Sequence, residues 1–248
     1  MPGELAAVFR SLADDTSEAA GSITSAISRF TVTTADTEDA NVARTLAADA
    51  DTARAIKAIR GNTGGWSGAR YIEASSPEEE AAYAAIRAST TDVPRIAANT
   101  GIPEDIIAQV KSHLFLTEHD VPVGPNEIVH GYFTPDEEIA RHWVGAEDGT
   151  LNTAQEERFR ALIAHEYVES RLMESGMPYR SAAPEAWTDG EQTFNPAHFG
   201  AHEVAPISWE GSLRQWPTLG LVPPAAPIAP DLSNIEDVVD AARRGLKL

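Results

Sequence analysis

Residues Phe159 to Met173 read FRALIAHEYVESRLM, and His165, Glu166 and Glu169 among them are of the types that move protons or hold metal ions. The preceding Thr153-Ala-Gln-Glu156 has a capping-box pattern and predicts that a helix begins there. Wound at about 100° per residue, that helix gathers Phe159, Leu162, Ile163, Leu172 and Met173 on one broad face. His165, Glu166 and Glu169 fall within the same apolar sector, and Arg160, Ala164 and Arg171 fall opposite. A surface helix ordinarily turns its carboxylates to water. Two carboxylates and an imidazole aimed at a core are costly unless they are paired or coordinated. His165 and Glu169 stand one turn apart, so both can reach a single ion.

In His-Glu-X-X-His zinc peptidases the histidines bind the metal and the glutamate is the general base. The fifth position here is Glu169, so the segment keeps the spacing and departs from the motif. The spacing assigns His165 and Glu169 as ligands of a divalent metal, zinc among the candidates, and Glu166 as the group that activates a water. Such an ion needs at least one further ligand and a position open to water. His119 is the first choice, because Glu118-His119-Asp120 follows an apolar, strand-like run. His202, in Gly-Ala-His-Glu-Val-Ala-Pro, is second, and His113 is third. His130, His142 and His198 are assigned to surface or packing roles. Two other readings stay open. A histidine and a glutamate can share acid–base work without a metal. His113 and His119 bracketing a short strand, with His165 opposite, would suit RNA cleavage through the 2′-hydroxyl. In the plainest reading His165 is a core histidine satisfied by Glu169, and Glu166 pairs with Arg158 or another basic residue.

Composition narrows the class. The 248 residues, 42% hydrophobic and 23% charged, suit a folded protein with one substantial core. There is no apolar run long enough to span a bilayer. The first residues lack a basic segment followed by an apolar one, so no cleavable signal peptide is expected. Absence of cysteine excludes disulfides and thiolate ligands, leaving His, Asp and Glu to hold any metal. A net charge of −19 argues against DNA binding and suits docking on a basic partner.

The elements that must position these residues follow along the chain. Two helices, about 4–29 and 36–59, predict an N-terminal hairpin, and Asn62-Thr63-Gly64-Gly65 reads as a linker. Ser76-Pro77-Glu78-Glu79 caps a helix running to about Ala88. Residues 94–111 read as two short helices around a Thr-Gly turn; Glu104 and Asp105 would repel phosphate, so this is a structural corner rather than a DNA reader. Leu114 to Asp120 reads as extended, Val121 to Ile128 as a turn, and Thr134-Pro135-Asp136-Glu137 as a cap with proline at the first helical position. Gly145 to Asn152 is a polar loop. The central helix should end at Ser175-Gly176. Met177 to Glu203 is loop-rich, anchored by Trp187, Phe194 and Phe199. A proline-rich tether, Val222 to Pro230, leads to a last amphipathic helix capped at Ser233-Asn-Ile-Glu236. That helix would either fold back on the core or serve as a docking peptide.

Two resemblances bear on function. SRFTVTTADTEDANVARTL resembles the later part of the helical hairpins that lead effectors of type VII (WXG-motif) secretion systems, although a Trp-X-Gly turn is missing from the hairpin. The span from about Tyr71 to Leu221 resembles C-terminal domains of bacterial polymorphic toxins and of some phage head-morphogenesis proteins. The carrying residues are Ile96 to Ile102, Val110 to Phe115 with Glu118-His119, Phe133 to Asp136 with Trp143, Ala164-His-Glu166 with Glu169, and Gly200-Ala-His202. The resemblance implies an effector module behind a delivery segment and points to His113, His119, His165, Glu166 and Glu169.

The expected fold is mainly α. A helical hairpin over 1–62 precedes a compact helical domain with little strand over 63–222, and a tether with a terminal helix fills 223–248. The expected function is a delivered antibacterial toxin with a hydrolytic His/Glu site. Its partners would be a neutralising immunity protein in the producer and a secretion partner or chaperone on the hairpin. The metal-independent ribonuclease and a non-enzymatic phage or secretion adaptor are the rivals.

Overall fold

The structure, a computed structural model, describes residues 71–248; the predicted hairpin and the linker after it lie outside them. The described residues are mainly helical, with seven α-helices and little strand. Helix α1, Pro77–Ala88, begins as its sequence dictates: Ser76 accepts from the Glu79 amide, and the Glu79 carboxylate accepts from the Ser76 amide. Helices α2, Asp92–Thr100, and α3, Glu104–Lys111, form the expected corner, with Gly101 left-handed between them at φ 73°.

Leu114 to Asp120 does not become extended at Leu114. The chain stays helical through a π turn, Ser112–Leu116, which buries His113, Leu114 and Phe115. Two strands follow, β1 over His119–Gly124 and β2 over Glu127–Gly131, paired antiparallel with Val121 opposite Val129. The expected turn over 121–128 is thus mostly hairpin. Val121, Val123, Ile128 and Val129 favour strand, and Pro122 is tolerated because a two-stranded ribbon has a free edge.

Helix α4, Glu137–Asp148, is capped by Asp136, which accepts from the Ile139 amide, so Pro135 lies outside the helix. It runs through Gly145, expected in the loop, and stops at Gly149, left-handed at φ 66°. The central helix α5, Thr153–Glu174, is capped one residue earlier than expected. Asn152 and Gln155 form the capping box. Its end is as expected, with Gly176 at φ 93°.

The core is threaded by aromatic rings from four elements. Tyr83 of α1 meets Phe115 edge-on at 4.8 Å, Phe115 meets Trp143 of α4 at 5.1 Å, and Trp143 meets Phe159 of α5 at 6.3 Å. Helix α5 is packed by α3, α4, the π turn, the short helix α6 (Ala201–Val204) and α7 (Ile235–Leu246). It is therefore buried on more than the one face its periodicity suggests. Ala164 and Ser170 are inside, whereas Leu162 and Met173 are half-buried.

Between α5 and α6 the chain makes a 3-10 turn, Pro184–Ala186, and a ribbon of two-residue strands, β3 (Trp187–Thr188) with β4 (Glu191–Gln192). Phe194, expected as an anchor, is exposed. The terminal helix folds back on α5. Tyr167 Oη and Arg171 Nε both donate to Glu236 Oε1, at 2.7 and 3.1 Å, and Arg243 donates to Ser175 Oγ at 2.9 Å. Its cap is Asn234 rather than Ser233, and no side-chain bond closes it.

Candidate metal centre

Glu169, 1% exposed, is the hub. His113 Nε2 lies 2.9 Å from its Oε1. His202 Nδ1 lies 2.8 Å and His165 Nε2 3.3 Å from its Oε2. His165 Nε2 and His202 Nδ1 are 3.1 Å apart. Glu166 sits beside the hub, its Oε2 3.7 Å from His113 Nε2. Glu166 is 8% exposed and makes no hydrogen bond among the described residues.

Each partner is held from behind. His165 Nδ1 donates to the Pro206 carbonyl at 2.7 Å. That bond fixes the tautomer and leaves the Nε2 lone pair of the neutral ring aimed at Glu169 and His202. A ligand histidine is typically braced in this way, through its second nitrogen. The loop bearing Pro206 is pinned in turn: Trp216 Nε1 donates to the Val204 carbonyl at 2.6 Å and Gln215 Nε2 to the Ala205 carbonyl at 2.7 Å. His202 is placed by close docking of 200–203 on 178–180. The Ala201 and His202 amides donate to the Pro178 and Tyr179 carbonyls at 2.9 and 3.0 Å. A Cβ on Gly200 would stand 2.6 Å from the Arg180 nitrogen, so only glycine permits the approach. Glu203 secures the same junction, accepting from the Gly200 amide at 2.8 Å and pairing with Arg180 at 3.4 Å. His113 is delivered by the π turn, a local widening common at functional sites.

The structure thus brings together His165, Glu166, Glu169, His202 and His113, and not His119. Its Nε2 donates to the His113 carbonyl at 2.9 Å, and its ring stacks on Phe133. The first-choice third ligand is a brace for the third-choice one. The strand-like run suggested otherwise because β1 begins at His119 itself, so His119 packs where it was expected to project. Glu169 occupies the space between His113 and His165, so the two histidines do not face each other across an open gap. Arg158, offered as a partner for Glu166, pairs instead with Glu138 at 3.4 Å. His130 pairs on the surface with Asp120 and Glu118. The supports at Pro206, Gln215 and Trp216 were not found from sequence; nothing local marks a carbonyl or an indole as the brace of a histidine 41 residues away.

Burial opposes ionisation of Glu169, but hydrogen bonds from His113, His165 and His202 outweigh it and hold the carboxyl well below its usual range. Burial likewise pulls His165 down, and the hydrogen bond and charge of Glu169, with the charge of Glu166, lift it to about 9. Burial, then the Glu169 charge, pushes Glu166 up to about 7. Burial lowers His202 and His119.

Two buried triads could hold a metal ion: His165, Glu169 and His202, and His113, Glu166 and Glu169. The first fits zinc in size. Ligands at 2.0–2.1 Å from a tetrahedral ion stand about 3.3 Å apart, close to the 2.8, 3.1 and 3.3 Å separations found. A cleft of about 430 Å³ reaches Glu166, Glu169 and His202, and another of about 550 Å³ reaches His113 and His119. Tyr179 and Arg180 line both, and His165 lines neither. No helix among the described residues is long and apolar enough to cross a membrane. No protein-family model, curated protein or solved structure matches the chain. The chemistry of the cluster is therefore read from its own geometry.

Proposed function

We propose that the protein is a metal-dependent hydrolase whose ion is held by His165 Nε2, Glu169 Oε2 and His202 Nδ1. One observation carries this reading: three donor atoms of the right chemistry converge at nearly tetrahedral spacing, with His165 braced through its other nitrogen. A divalent ion supplies a Lewis acid and lowers the pKa of a coordinated water. The protein's own residues do the rest. Glu166 lines the cleft beside Glu169 and His202 and accepts the proton of the attacking water. Tyr179, whose hydroxyl burial keeps protonated, and Arg180 offer donors to a developing negative charge on the substrate. His113 holds Glu169 from its other oxygen.

On the resemblance to polymorphic-toxin domains, we read this hydrolase as a delivered antibacterial effector. Two experiments test the reading in turn. Elemental mass spectrometry on gently purified protein should find at least one equivalent of a divalent metal, and one equivalent fewer in His165→Ala; metal in neither protein, both folded, refutes the metal centre and favours the metal-independent or the adaptor reading. Expression of the wild type in a bacterial host should slow growth more than expression of a His165→Ala, Glu166→Ala double variant. Equal growth refutes the toxin.

A further inference from the structure

The first triad leaves part of the cluster unexplained. Glu166 is largely buried, 8% exposed as a residue and 11% at its side chain, and its carboxylate makes no hydrogen bond among the described residues. His113 Nε2 stands 3.7 Å from its Oε2 and also faces Glu169 Oε1 at 2.9 Å. Glu169 therefore offers its two oxygens in two directions, Oε2 toward His165 and His202 and Oε1 toward His113. A buried carboxylate without a donor is expensive, and a second carboxylate beside it makes it more so. The pair of acidic side chains is what a cation would offset, and the histidine supplies a neutral third ligand.

We infer that His113 Nε2, the Glu166 carboxylate and Glu169 Oε1 form a second divalent-cation site, with Glu169 bridging it to the first. The inference rests on the single-ion reading above for the first site and goes beyond it. It also changes the part of Glu166, which in the two-ion state is a ligand rather than a free base. A shared carboxylate is the ordinary means of holding two ions about 3.5–4 Å apart. The surroundings suit the arrangement. His113 is fixed by its place on the π turn and by the His119 ring 4.6 Å away, and His119 is bonded to the His113 carbonyl. One cleft reaches Glu166, Glu169 and His202 and so serves both sites, and the other reaches His113 and gives the second site a further opening. Both ions are of one chemical class, a divalent cation that accepts mixed nitrogen and oxygen ligands, such as zinc or manganese.

The test is made on the full chain, stripped with a chelator and reloaded with manganese. The wild type should retain two equivalents by elemental mass spectrometry. Its electron paramagnetic resonance spectrum should show two manganese ions coupled through the bridging carboxylate. His113→Ala and Glu166→Gln should each retain one equivalent and give the six-line signal of an isolated ion, and Glu169→Gln should lose the coupling with both ions. One equivalent in the wild type, with an uncoupled spectrum that His113→Ala leaves unchanged, overturns the second site and leaves the first standing. No retained metal in the folded wild type overturns both. The wild-type measurement decides the matter by itself if a variant fails to fold.

Discussion

Two buried polar clusters are reached from the C-terminal end of α3, one through Lys111 and the other through His113, and they are built on opposite principles. In the first, Asp92 receives Lys111 Nζ at 2.7 Å and Trp143 Nε1 at 3.0 Å on its two oxygens, and Lys111 also donates to the Ser89 carbonyl. Charge cancels charge, each oxygen has a donor, and neither residue lines the two clefts that reach the cluster on α5. In the second, Glu169 is shared among three histidines, and Glu166 beside it has no hydrogen bond among the described residues. The first cluster is complete as it stands and ties α2 to α4. The second has acceptors to spare and opens to two clefts. Burial alone thus says little about function, and the informative quantity is the balance of donors and acceptors.

The sharpest way to break the contrast is Glu169→Gln. It removes the charge that gathers three histidines, and zinc uptake should be abolished. A chelator should then lower the melting temperature of the wild type and leave that of the variant unchanged. Asp92→Ala should do the reverse. It strands a buried ammonium, at a cost of about 3–5 kcal/mol, measured by denaturant unfolding, while the number of zinc ions bound per chain stays as in the wild type.

The pH dependence of stability separates metal-free from loaded protein. His165 is raised to about 9 from an ordinary 6.5. Its contribution is thus fully present below pH 6.5 and is lost as pH rises through 9. The upward shift of Glu166 acts below pH 7, and the lowered His119, His142 and His202 act below their ordinary value. Between pH 7 and 9 the chelated protein should therefore lose on the order of 1.4 kcal/mol for each unit of the His165 shift. Zinc replaces the proton on His165, so the loaded protein should not show this decline. Equal slopes with and without zinc would detach His165 from the metal.

The smallest expected effect is at Gly200. An added methyl forces 200–203 away from Arg180 and moves His202 off Glu169. Zinc affinity should fall about 10–100-fold, as it does when the support of a ligand is lost, by calorimetry. Unchanged affinity would show that His202 is not a ligand.

Much of the local structure was legible in the sequence, because it is set by neighbours. The Ser76–Glu79 box, the Gly101 corner and the Gly176 stop were readable from a few residues each. So was the anomaly of His165, Glu166 and Glu169 on an inward face. What could not be read is how distant segments meet. His113 and His202 stand 56 and 33 residues from the carboxylate they share, and periodicity carries no information about such pairings. The order of preference among His119, His202 and His113 came from local texture, which favoured the one that turned out to be a brace. The caps misplaced at α4 and α5 share a cause, since Asp136 and Asn152 each compete with a nearby threonine, and the better acceptor geometry decides.

The π turn at Ser112–Leu116 carries one consequence more. It joins a helix, where each residue advances the side chain by about 100°, to a strand, where each residue reverses it. The wide turn keeps the two rhythms in step, so that His113 faces Glu169 and Val121 is buried. Substitutions there change shape or polarity at one position. Removing a single residue between Phe115 and Glu118 would instead invert every side chain of β1, sending Val121 to water and tearing His119 from the His113 carbonyl. This segment should therefore be far less tolerant of changes in length than of changes in residue, whereas the exposed tip between β3 and β4 should accept insertions freely.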